Sequence, residues 1–103
     1  MSEVLHMVMW KFKSTTAEEN ASQAKGLVED FEAMKSFVPG LLEVHAGANA
    51  LAVDGAFDFA ISMRFATWAD LETYNQHPEH QKIKIKMRDM RIERAQVDFE
   101  LAL

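Results

Sequence analysis

The nine residues from Val4 to Phe12 limit what this chain can fold into more than any others. Val4, His6, Val8, Trp10 and Phe12 alternate with Leu5, Met7, Met9 and Lys11, a period of two that predicts a β-strand. Both sides of this strand are apolar for most of its length. An antiparallel strand with one wet face carries polar residues on that face. A sheet built around this strand therefore needs cover on both faces.

The rest of the chain supplies one cover. Ser14, Thr15 and Thr16 are candidate helix caps, with Glu18 three residues after Thr15 and Glu19 three after Thr16. Ala21, Ala24, Leu27, Phe31, Met34 and Val38 then form an amphipathic stripe that Pro39-Gly40 ends. A second strand is expected over 41–48, with Leu42, Val44 and Ala46 on one side and Leu41, Glu43, His45 and Gly47 on the other. Residues 49–55 read as a turn, sharpest at Asp54-Gly55. The third strand, 57–65, puts Phe57, Phe59, Ile61, Met63 and Phe65 on one face.

Thr67 caps a second helix, with Asp70 three residues on, and Trp68, Leu71 and Tyr74 are spaced to face the core together. Pro78 has no amide hydrogen and pushes His77 out of the helical region, so this helix breaks there. Pro78-Glu79 suits the first turn of a new helix, which carries the stripe Ile83, Met87 and Met90. The last strand is expected over 96–103, with Val97, Phe99 and Leu101 inward and Gln96, Asp98 and Glu100 outward.

Strand, helix, strand, strand, helix, strand is the split βαβ order of a ferredoxin-like α+β sandwich, here one domain over residues 1–103. Both helices then cover the same face of the sheet. The other face is left with Leu5, Met7 and Met9 exposed, a patch that a solitary soluble protein rarely keeps. A two-fold homodimer covers it most simply, two sheets facing each other as a dimeric α+β barrel.

Composition narrows the function classes. A net charge of −5 argues against nucleic acid as a partner, since phosphate binding needs a positive field. The basic run from Lys82 to Arg94 is expected to be a solvated helix face. No apolar stretch is long enough for a membrane span, and the first residues do not resemble a signal peptide. The absence of cysteine removes disulfides and thiolate chemistry and fits a cytoplasmic protein.

The stretch Tyr74-Asn-Gln-His77-Pro78-Glu-His80, together with His6 in the first strand and Pro39-Gly40-Leu41 before the second, resembles the stress-responsive dimeric α/β-barrel (Dabb) family. The resemblance spans essentially the whole chain. It implies ferredoxin-like subunits joined sheet to sheet, in a family most of whose members have no established activity. It also implies a distant similarity to the plant olivetolic acid cyclase. In that enzyme the tyrosine and the last histidine of this block promote an aldol-type ring closure; by motif position these are Tyr74 and His80, with His6 matching a first-strand histidine of the pocket. A third-strand histidine of that enzyme falls on Phe59 here, so the same substrate is not expected.

The residues admit two readings of their own. A neutral histidine can take a proton near pH 7 and a tyrosine hydroxyl can hydrogen-bond a developing enolate. His80 as base, Tyr74 as orienter and His6 in support would make a cofactor-free cyclase or isomerase acting in a pocket for a small apolar ligand. Alternatively the barrel itself is the purpose, and these groups only satisfy one another inside the core. His77 is expected to cap the helix break, and Glu43 and His45 to form a surface or interface pair. His77 and His80 lack the spacing of a zinc helix, and no phosphate-binding or other cofactor loop is visible.

Overall fold

The computed structural model describes residues 2–102. Strand β1 (Val4–Phe12) is followed by helix α1 (Ala17–Ala33), whose cap is Thr16: its hydroxyl accepts the Glu19 amide at 3.2 Å. The helix tightens into a 3-10 turn over Met34–Ser36 before the chain enters strand β2 (Leu41–Ala48). Strand β3 (Phe59–Phe65) precedes helix α2 (Trp68–Gln76), helix α3 (Pro78–Met90) and strand β4 (Arg91–Glu100). The four strands form one antiparallel sheet in the order β2-β3-β1-β4. This is the ferredoxin-like α+β fold, with its second helical segment broken in two.

The core lies between one face of the sheet and the helices. Val4, Val8, Trp10 and Phe12 meet Phe59, Ile61, Met63 and Phe65 across the β1–β3 pairing, and Leu27, Phe31, Leu71, Ile83 and Met87 cover them from the helices. Trp10, Phe31 and Phe59 stack with centroids 5.6–6.2 Å apart, a separation at which aromatic rings attract beyond their burial.

Two local details fix the chain path. In the turn between β2 and β3, Gly55 has φ of 84°, a conformation that glycine takes without steric cost. At the start of β2, a Cβ on Gly40 would sit 2.0 Å from the carboxyl carbon of Asp70. Asp70 is held there by α2's cap, its amide donating to the Thr67 hydroxyl and its carboxylate accepting that hydroxyl's proton at 2.9 Å. The glycine before β2 therefore exists to admit the cap of α2.

The structure departs from the sequence expectations at several residues. Trp68 does not join Leu71 and Tyr74 in the core; it is 47% exposed and its indole N–H donates to Glu100 at 2.9 Å. Ala21, at the start of the α1 stripe, is exposed, and Phe57 precedes β3 rather than belonging to it. A bulge between Leu41 and Glu43 returns Leu41 to the helix-covered side with Val44, where simple alternation put Leu42. The largest correction concerns β4. It begins at Arg91, five residues earlier than expected, and its phase is the reverse of the expected one: Asp98 pairs with His6 and Gln96 with Val8 on the helix-covered side, while Val97 pairs with Met7 and Phe99 with Leu5 on the open side. Leu103, the last residue of the expected strand, lies outside the described residues.

The open face is consequently more apolar than β1 alone implied. Met7 is 38% exposed, Met9 41%, Val97 53% and Phe99 41%, all on adjoining strands. The β2–β3 half of the same face is polar, with Arg64 bonded to Glu3 and Glu43 and His45 beside Glu43. Among the described residues no helix is long and apolar enough to cross a membrane.

Candidate functional site

The break at His77–Pro78 shapes the site. Pro78 occupies the first turn of α3, and the His77 ring nitrogen Nδ1 accepts the Glu79 amide at 3.1 Å, so His77 caps the new helix as expected. The cap also leaves the His77 ring tilted against Phe37, with centroids 5.5 Å apart. His77 is thereby accounted for structurally. The kink redirects the chain so that Tyr74, at the end of α2, and His80, in the first turn of α3, face the sheet together.

His6, Tyr74 and His80 meet there. The Tyr74 ring lies over the His80 ring with centroids 4.1 Å apart and 32° between planes, and His6 meets Tyr74 edge-on at 5.8 Å. All three line a cavity of about 490 Å³ between the sheet and α2–α3, within the size range of small-molecule sites. Its apolar wall comes from Val8, Trp10, Phe31, Ile61, Ile83 and Met87.

The polar groups divide into satisfied and unsatisfied. His6 is bonded through Nδ1 to Asp98 at 2.5 Å. A carboxylate can only accept, so Nδ1 carries the hydrogen and the neutral ring keeps Nε2 as an acceptor. Asp98 in turn accepts from the Gln96 amide at 2.7 Å, and the Gln96 carbonyl oxygen accepts from the Arg94 guanidinium. Arg94, Gln96 and Asp98 are alternate residues of β4, so one face of that strand lays a hydrogen-bonded line ending at His6. In contrast, the Tyr74 hydroxyl and His80 Nδ1 are buried and have no hydrogen-bond partner among the described residues.

Burial governs the protonation states. It pushes His80 down from 6.5 to about 4, helped by the positive charges of Lys84 and Arg94. It lowers His6 as well, against the opposing hydrogen bond to Asp98, and it raises the Tyr74 phenol well above its ordinary value. At neutral pH the three are an uncharged hydroxyl and two neutral imidazoles. Such a set can donate to and accept from a bound carbonyl or hydroxyl, and it can pass a proton. Among the described residues no group of three side chains is arranged to hold a metal ion.

Asp98 and Gln96 were expected to face outward and Arg94 to end a solvated basic run, so none of the three was a candidate for the site. Their signal was present as strict polar alternation, but apolar Val97 and Phe99 drew the inward assignment. The basic run from Lys82 to Arg94 also divides: Lys82 and Lys86 pair on the outer surface with Glu79 and Asp30, whereas Lys84, Arg88, Arg91 and Arg94 line the cavity.

Solved structures share this architecture. A dimeric protein of unknown function and ferredoxin-like fold from Bacteroides fragilis superposes with a TM-score of 0.85 at 24% identity, covering 98% of each chain. A Dabb family protein from Mesorhizobium loti gives a TM-score of 0.77 at 17% identity, over 100% of this chain and 99% of its own. A hydroxynitrile lyase from Passiflora edulis gives 0.77 at 15% identity, over 98% of this chain and 94% of its own. At these identities the likeness establishes the fold. No curated protein matches the sequence significantly. The sequence profile of the Stress responsive A/B Barrel Domain matches residues 4–101, nearly the whole chain, and the protein therefore belongs to the Dabb family.

Proposed function

We propose that the protein is a homodimer that binds a small, mainly apolar molecule in the cavity between sheet and helices, with Tyr74 and His80 meeting that molecule's polar group. The observation that carries this reading is the pair of buried polar atoms, the Tyr74 hydroxyl and His80 Nδ1, that lack partners among the described residues beside an apolar-walled cavity. An unsatisfied buried polar group costs about 1–3 kcal/mol, and a ligand carbonyl or hydroxyl would recover that cost. Dimerisation uses the open face, where Val97 and Phe99 extend the Leu5, Met7 and Met9 patch. Related folds described as dimeric support it. The lack of cysteine suits a cytoplasmic setting.

The test is a thermal-shift screen of apolar ketones, phenols and alcohols against the wild type and His80→Ala. Ligands that raise the wild-type melting temperature and leave the variant unmoved support the site. Equal shifts in both proteins, or none in either, refute it.

A second reading makes the same pocket catalytic, as a cofactor-free isomerase or a cyclase resembling the polyketide type. The His6–Asp98 bond and the neutral state of His80 favour it. His80 would take a proton from the carbon beside a carbonyl, the Tyr74 hydroxyl would donate to the enolate oxygen, and the His80 imidazolium would return the proton to another carbon. His6, oriented by Asp98, would support the pair. The shared fold of a lyase of hydroxynitriles makes proton removal from a hydroxyl a further reaction to assay. Deuterium uptake at the α-carbon of a bound ketone, abolished in His80→Ala, would establish it; uptake no faster than in buffer would reject it.

A further inference from the structure

Four cations gather on one side of the cavity. Lys84 and Arg88 project from α3 one turn apart, and Arg91 and Arg94 come from the start of β4. Among the described residues none of the four forms an ion pair, although the chain as a whole is acidic at −5. Like charges four residues apart on a helix repel by a few tenths of a kcal/mol, so this grouping costs stability without an internal return. The neighbouring Lys82 and Lys86 show the alternative: each points outward and finds a carboxylate, at 2.9 and 2.8 Å. Among the described residues the one acid lining the cavity, Glu72, is itself bonded to Gln76 at 2.6 Å.

Arg94 adjoins the polar groups of the site. Its guanidinium is hydrogen-bonded to Gln96 and lies close enough to Tyr74, His6 and His80 for its charge to act on each. Burial and the adjacent Arg91 weigh against its charged form, while the Asp98 carboxylate, itself bonded to His6 and Gln96, favours it without forming an ion pair with it. A guanidinium that pairs with no carboxylate among the described residues presents its remaining donors in a planar fork suited to an oxyanion. The same space is also lined by apolar Val8, Trp10, Ile61 and Met87.

We infer that the ligand of this cavity is an amphipathic anion, with an apolar body against the Trp10–Ile61–Met87 wall and a carboxylate or phosphate head held by Arg94, Lys84, Arg88 and Arg91. The inference rests on the proposed ligand site and names its chemical class. The cations fix the ligand's direction: the head stays at the β4–α3 mouth while the body extends past Tyr74 and His80. A negative head there also offsets the positive field on His80 and makes it a stronger base in the complex than in the free protein.

Isothermal titration calorimetry of the full chain with decanoate, decyl phosphate and decan-1-ol tests this. The expected result is that one or both anions bind at least about tenfold more tightly than the alcohol, with the preference shrinking as salt is raised. Arg94→Gln and the pair Lys84→Gln/Arg88→Gln should abolish the preference, while the outward pair Lys82→Gln/Lys86→Gln should keep it. Circular dichroism melts confirm that each variant is folded before it is titrated. Alcohol binding as tight as anion binding overturns the anionic class and leaves the apolar site standing. A preference lost equally in the outward pair also overturns it, because general surface charge would then be the cause. If none of the three probes binds, the ligand site and the inference fall together.

Discussion

Tyr74→Phe should make the protein more stable and less able to bind. The substitution keeps the ring that packs against His80 at 4.1 Å and Phe65 at 5.4 Å, and it removes only a hydroxyl that is buried and has no partner among the described residues. An unsatisfied buried hydroxyl costs about 1–3 kcal/mol by mutational measure, and the lower end applies because the cavity has an open mouth through which water can enter. For a chain of 103 residues the unfolding entropy is about 0.2 kcal/mol per kelvin, so a gain of about 1 kcal/mol raises the melting temperature by roughly 5 °C. Guanidinium denaturation at fixed protein concentration gives the free energy directly, and a matched thermal melt gives the shift. The same variant should lose most of the ligand-induced stabilisation of the wild type. A Tyr74→Phe protein that is less stable than the wild type by 1 kcal/mol or more would show that the hydroxyl is already satisfied, and the reasoning from its burial would fail.

Three other perturbations probe separate parts of the account. His80 is held at about 4 in the folded chain against 6.5 in the unfolded one, so the unfolded state takes up the proton first; stability is full above about pH 6.5 and falls as the pH drops towards 4, with His6 acting in the same direction. Melting curves across that range should slope less in His80→Gln than in the wild type, and parallel curves would deny that His80 is buried neutral. Val97→Glu should weaken the dimer at least about a hundredfold, since each copy loses about 1.5 kcal/mol of apolar burial and two-fold symmetry doubles the loss; sedimentation velocity unchanged from wild type would place the interface elsewhere. Gly40→Ala should cost about 1–3 kcal/mol by displacing Asp70 from the Thr67 cap, and a neutral effect in denaturant melts would contradict that packing.

Much of the fold was legible because its signals are local. The alternation of 4–12, the Asp54-Gly55 turn and the Pro78 break each depend on residues within a few positions and appear where expected, and of the caps offered at 14–16 the chain uses Thr16. The phase of β4 was not local. An apolar residue usually faces a protein's own helices, but here Val97 and Phe99 sit beside Met7 and Leu5 on the face that the helices leave open. That same open face had been deduced from β1, and applying the deduction to the edge strand would have turned Asp98, Gln96 and Arg94 towards the cavity.

The site followed the same division. His6, Tyr74 and His80 were identifiable from titratable groups on apolar elements around a helix break, and the structure brings them together. Trp68 was misplaced because spacing alone does not show where a helix leaves the core; its indole instead reaches the end of β4. The split of the basic run into paired and unpaired cations depends on where Asp30 and Glu79 stand relative to α3, which no spacing rule contains.

The most direct measurement is a crystal structure of the wild-type protein soaked with the tightest ligand from the binding screens. The account predicts density filling the space bounded by His6, Tyr74 and His80, with a ligand oxygen within hydrogen-bond distance of the Tyr74 hydroxyl and His80 Nδ1. Density confined to another surface, with the three side chains unchanged and the Tyr74 hydroxyl and His80 Nδ1 still unpartnered, would contradict it.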